Sequence, residues 1–207
     1  MDLDTLDVIH PYILVVEGKE EEVFFRELIR RLGLPKIQIV PIGGKSNLRQ
    51  NLKILAKSPR FNDTVISLGI VRDADDNWSA AFQSVRDALQ AAGLTAPESQ
   101  LASVGNKPRV TIMILPESGA SGMLEDLCLK TVENDHANLC VEQYFQCLQQ
   151  QGLPLPRNMA KARVQVFLAS KPEPGKRLGE AAEAGYWPWD DLAFEEVKNF
   201  LKQICFA

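Results

Sequence analysis

Two hydrophobic patterns take turns along residues 12–115. The first is a short unbroken run: Y-I-L-V-V at 12–16, I-Q-I-V-P-I at 37–42, V-I-S-L-G-I-V at 65–71 and V-T-I-M-I-L at 110–115. Runs of this length, rich in β-branched residues, predict strands covered on both faces of a sheet. The second pattern sets apolar residues three and four apart. It includes Phe24, Leu28 and Leu32 up to Gly33, then Leu48, Leu52 and Leu55 within 46–57, then Phe82, Val85 and Leu89 up to Gly93. That spacing gathers side chains on one helix face, and the glycines mark where each helix stops. Residues 95–109 have two prolines and no period, so they read as a surface connection.

Strand and helix alternating at this interval predict right-handed crossovers and one parallel four-stranded sheet with helices on both faces. Residues 1–116 thus read as a Rossmann-like α/β core. Beyond Pro116 the pattern is helical throughout, over 123–132, 139–151, 159–170, 178–183 and 194–204. Residues 117–207 read as a C-terminal helical extension packed on that core.

Composition narrows the class. With 45% hydrophobic and 24% charged residues the chain has the balance of a globular protein, which excludes collagen-like and disordered classes. Lys and Arg number 23 against 27 Asp and Glu, a formal charge of −4, so any nucleic-acid contact has to be local or metal-assisted. The first residues are acidic where a signal peptide is basic, and no apolar run reaches the ~18 residues of a membrane span. The expectation is a cytoplasmic protein with no membrane partner. Cys128, Cys140, Cys147 and Cys205 form no C-x-x-C pair, which argues against zinc and against a disulfide framework. His10 and His136 have no partner at ligand spacing.

Acidic residues follow the strands. Glu17 comes after the first, Asp73 and Asp75 after the third, Glu117 after the fourth, and Glu125 and Asp126 open the next helix. In open α/β sheets ligands bind beyond the carboxyl ends of the strands, so these acids collect at the functional edge. In an extended segment residues i and i+2 point the same way, which makes Asp73 and Asp75 a two-carboxylate platform. All-oxygen ligation without His or Cys suits Mg2+ or Mn2+, and a cation would relieve the repulsion among the carboxylates. The competing reading is helix capping by one of Asp73, Asp75, Asp76 and Asn77.

V-V-E-G at 15–18 and R-D-A-D at 72–75, each directly after a buried strand, resemble the signature of the Toprim domain of topoisomerases, primases and related nucleases. The likeness covers about residues 12–116. The stretch from Pro116 through Gly122 to Leu124-Glu125-Asp126 further resembles stand-alone Toprim proteins and nucleases of the overcoming-lysogenization-defect group. The resemblance implies that Asp73 and Asp75 bind Mg2+, that Glu17 binds metal or shuttles a proton, and that Glu125 serves a second ion. It implies metal-assisted phosphodiester hydrolysis of DNA or RNA, with Glu17, Asp73 and Asp75 as the catalytic centre. Topoisomerase chemistry needs a nucleophilic Tyr in a separate domain, and a primase needs a zinc module; neither has a counterpart here. The alternative is a non-catalytic Toprim-like module working with a separate protein partner. A third reading is a phosphatase with Asp73 as nucleophile.

Gly43-Gly44-Lys45-Ser46 is not a P-loop, because position 39, where the first glycine belongs, is Ile. Lys45, Arg49, Lys53 and Lys57 nevertheless recur every four residues, and residues 26–60 hold nine basic groups against Glu27 alone. Lys45, Arg49 and Lys53 are therefore candidate phosphate contacts, and Lys161 a candidate for neutralising phosphate beside the metals. Tyr186-Trp187-Pro188-Trp189 reads as an aromatic pin holding the terminal helix to the core.

Overall fold

The Y-I-L-V-V run forms β1 (Tyr12–Val16), and the other apolar runs form β2 (Gln38–Pro41), β3 (Ser67–Asp73) and β5 (Arg109–Leu115). These four pair in parallel. Our computed structural model describes residues 7–206. The connection between the third helix and β5 contributes a strand that the sequence pattern does not reveal. The two-residue β4 (Ser103–Val104) runs antiparallel to β5 and makes the sheet five-stranded, in the order β2-β1-β3-β5-β4. Two residues are too few to show a period. The fold is α/β and Rossmann-like.

One face of the sheet carries Ile13, Val15, Leu68, Ile70, Val110, Ile112 and Ile114. It is covered by α2 (Leu48–Ala56), the single turn α3 (Phe61–Thr64) and α4 (Trp78–Ala91). The other carries Leu14, Val16, Val71, Met113 and Leu115 and packs with α1 (Lys19–Arg31). It also packs with the C-terminal helices α5 (Leu124–Thr131), α6 (His136–Gln150), α7 (Met159–Ala169), α8 (Leu178–Glu183) and α9 (Glu195–Phe206). Residues after 116 thus share one apolar cluster with the sheet.

The reason α9 can lie directly on β3 is Gly69. A Cβ there would stand 2.9 Å from Phe200 Cζ and closer still to Ile204, so only hydrogen lets helix and strand meet. The aromatic segment behaves as a pin. Trp187 is buried and stacked on Phe167 at 5.8 Å, with its Nε1 donating to the Leu178 carbonyl at 3.2 Å. Trp189 stacks on Phe194 at 5.2 Å and leans on Phe24 of α1. No helix among the described residues is long and apolar enough to cross a membrane.

Candidate functional site

Strand alternation directs Asp73. Val71 belongs to the sheet face covered by α1 and α5, and Asp73, two residues on, points the same way. Its Oδ1 accepts the backbone N–H of Leu124, the first residue of α5, at 3.0 Å. Glu125 follows Leu124 in that first turn. Asp126 is spent as a cap, accepting the Met123 N–H at 2.8 Å. Glu17 stands immediately past β1, the strand next to β3. Its carbonyl accepts the Gly44 N–H at 2.9 Å, while one carboxylate oxygen is buried without a hydrogen-bond partner.

A fourth acid completes the group, and the sequence reading passed over it. Glu21 sits in the first turn of α1, the helix that leaves β1. Burial first, and neighbouring acids second, raise the pKa of all four carboxyls. Asp73 is raised well above the usual carboxylate value, first by burial and then by the charges of Glu21, Glu17 and Glu125. Glu17 is raised by burial and by Glu21 and Asp75, against the opposing pull of Arg72 and the Lys45 backbone amide. Glu21 is raised by burial and by Glu125, and Glu125 chiefly by burial.

Neighbouring acids are neutralised instead. Glu22 pairs with Lys19 and Arg26, Glu27 with Arg30 and Arg31, and Glu117 with Lys130 at 2.7 Å. Signal for Glu21 was present in the chain. It stands three, four and seven residues before Phe24, Phe25 and Leu28, on the stripe that α1 buries, but inside a run of three glutamates.

Asp75 departs from the expected geometry. The extended platform with Asp73 is corrected, because β3 ends at Asp73 and Asp75 takes a left-handed backbone conformation with φ 51°. Asp75 exchanges two backbone hydrogen bonds with Gly122, at 2.8 and 2.7 Å, which turns the chain out of the strand direction. Its carboxylate accepts from Lys45 Nζ at 2.7 Å, and it remains close enough to Glu17 to raise that group's pKa. Capping falls to Asn77 alone, whose side chain accepts the Ala80 N–H at the start of α4.

The candidate phosphate contacts divide. Lys45 and Lys161 each reach an acid of this edge, Lys45 at Asp75 and Lys161 at 3.9 Å from Glu125. Arg49 and Lys53 run on along α2 beyond Lys45, Arg49 exposed and Lys53 half-buried, with no carboxylate within 4.0 Å among the described residues.

As they stand, no three His, Cys, Asp or Glu side chains among the described residues are placed to hold a metal ion together. The side chains at this edge offer carboxylate oxygens only, one of them buried and unpartnered, a chemistry that would suit a hard cation if the side chains turned toward it. All four cysteines are free thiols. Cys128 and Cys205 are buried, and burial pushes the Cys205 thiol up to about 11.

A crystal structure of a hypothetical protein from Pyrococcus horikoshii OT3 superposes with a TM-score of 0.59 over 95% of either chain, at 17% sequence identity, a likeness of fold. No curated protein matches the chain. Residues 11–206 match the family described as protein of unknown function (DUF3226), and the chain belongs to that family.

Proposed function

We propose that the chain is a Mg2+- or Mn2+-dependent phosphodiesterase of the Toprim kind acting on nucleic acid. The observation that carries this reading is the charge that Glu17, Glu21 and Glu125 exert on buried Asp73 at the carboxyl edge of the sheet, with the pKa of each of the four raised. Such a cluster costs stability unless protons or a cation neutralise it. At neutral pH a divalent ion is the chemical answer.

Asp73, Glu17 and Glu21 would hold the ion, and Glu125 would serve a second one. A bound dication supplies Lewis acidity to the phosphoryl oxygens and to the attacking water. Asp73 is oriented for this by the Leu124 N–H, which fixes one oxygen and leaves the other free. Glu17, with its raised pKa and unpartnered oxygen, is suited to take a proton from water. Lys45 and Lys161 would take up phosphate charge when substrate displaces their carboxylate partners.

The test is cleavage of labelled DNA and RNA by purified protein with Mg2+ or Mn2+. Asp73→Asn and Glu17→Gln should abolish cleavage while leaving the fold intact by circular dichroism. Equal cleavage by both variants and the parent overturns the assignment. The close Lys45–Asp75 pair favours a second reading, a non-catalytic Toprim-like module with a separate protein partner, in which Asp75 is structural. Calorimetric binding of Mg2+ without turnover of any nucleic acid would select that one.

A further inference from the structure

Beside the acid cluster, α7 and the turn that leads into α8 border an open recess of about 610 Å3. Glu125 and Lys161 form the wall it shares with the cluster. Lys176, Arg177 and Glu20 also line it, three cations against two carboxylates in all, and Val164, Leu168, Pro174 and Leu178 supply an apolar lining. We infer that this recess takes an unpaired nucleotide next to the scissile phosphate, so that the preferred substrate is single-stranded. The inference rests on the reading of the carboxylate cluster as a phosphodiester centre.

Size, lining and charge each support it. The volume lies in the range of sites that enclose a small organic ligand, about 300–1,000 Å3, which is enough for a nucleotide and far too little for a duplex. A part-apolar, part-cationic pocket matches a nucleotide, whose base is flat and weakly polar and whose phosphate is anionic. In a duplex the flat faces of the bases are stacked inside and a protein meets only base edges, sugars and phosphates, so a recess with an apolar lining can enclose a whole base only if that base is already unpaired or has been extruded. No aromatic ring lines the recess, so the base meets aliphatic side chains and recognition tolerates any sequence.

Two of the three cations are held loosely. Lys161 stands 3.9 Å from Glu125 and Arg177 3.9 Å from Glu20, both cations exposed and free to turn to phosphate oxygens, while Lys176 pairs with the exposed Glu173 at 3.2 Å. Lys45 is not part of this recess and pairs with Asp75. A strand that contacts both Lys45 and the recess would therefore meet cations on either side of the reacting phosphate.

The experiment measures fluorescence anisotropy of labelled oligothymidine, alone or annealed to its complement. It uses the full chain carrying Asp73→Asn so that binding is read without turnover. Single strand should bind at least about tenfold tighter than duplex. Adding Lys176→Ala and Arg177→Ala should flatten the plot of log affinity against log salt by about 1.4, since each lost single-strand phosphate contact removes about 0.7. Arg177 is exposed and Lys176 half-buried, and the Arg177 contact that starts α8 is its backbone N–H to Glu180 at 2.8 Å, which alanine keeps. A Lys176→Gln, Arg177→Gln protein serves as a second form should the alanine protein melt early. Equal affinity for duplex, or an unchanged salt slope, overturns the recess assignment. Cleavage by the parent chain with that outcome leaves the catalytic reading standing; strand binding as expected without any cleavage leaves the recess and sinks the catalysis.

Discussion

Replacing Asp73 by Asn should change how stability depends on pH, and the sign follows from the cluster. Glu17, Glu21, Asp73 and Glu125 all have folded-state pKa values above their ordinary 4.5 or 3.8. Between the ordinary value and the raised one, the native state holds protons that the unfolded chain has released. Stability contributed by these groups is therefore fully present below about pH 4 and is lost as pH rises through the raised values. Glu27 and Asp135 act the other way, being lowered by Arg30 and by the Ala137 N–H respectively, but they lose their contribution only below their ordinary values.

From pH 5 upward the acid cluster governs. Each extra proton held by the native state tilts stability by up to about 1.4 kcal/mol per pH unit. For a chain of this size that is about 3–6 °C in Tm per pH unit. Asn keeps an Oδ1 for the Leu124 N–H at 3.0 Å, so the substitution removes the charge and not the hydrogen bond. Thermal melts in EDTA from pH 5 to 8 should show the parent falling and Asp73→Asn falling less steeply, with the variant the more stable at pH 8. Parallel curves, or a parent whose Tm rises over that interval, would refute the clustering of charge.

Three further outcomes follow from the same structure. Mg2+ at a hundred times its dissociation constant should stabilise the parent by about 2.7 kcal/mol, read as a rise of roughly 5–11 °C in Tm, and should leave Asp73→Asn nearly unmoved. Lys45→Met frees Asp75 from its cation and should tighten Mg2+ binding in calorimetry up to about fivefold, in line with the ~0–1 kcal/mol of an exposed pair, while weakening strand affinity. Gly69→Ala pushes a methyl into Phe200 and Ile204 and should cost about 1–3 kcal/mol in denaturant melts; no loss would mean that α9 does not rest on β3 as described.

The alternation of unbroken apolar runs with helical spacing made the parallel sheet and its flanking helices legible, because both depend on local period. Two features depended on what the chain meets elsewhere. Strand β4 has two residues, and only the neighbouring β5 makes it a strand. The Asp73–Asp75 platform assumed that extension continues past β3. It does not, because Gly122, 47 positions further on, bonds the Asp75 backbone on both sides and bends it away. Nothing near Asp75 in sequence announces Gly122.

Glu21 is the more instructive omission, since the information was local. A carboxylate three, four and seven residues before Phe24, Phe25 and Leu28 lies on the face that a helix turns to the core. A lone acid there must be paired, protonated or bound to a cation. The glutamates at 20 and 22 have partners: Glu20 accepts the Gly179 N–H at 2.9 Å, and Glu22 holds Lys19 and Arg26. Glu21 between them has instead the charges of Asp73 and Glu125 for company. What separates Glu21 from its neighbours is the lack, among the described residues, of a cationic or hydrogen-bonding side-chain partner, since Glu22 is itself buried but paired. In α5 Asp126 is likewise engaged, as a cap, whereas Glu125 has only Lys161 at 3.9 Å.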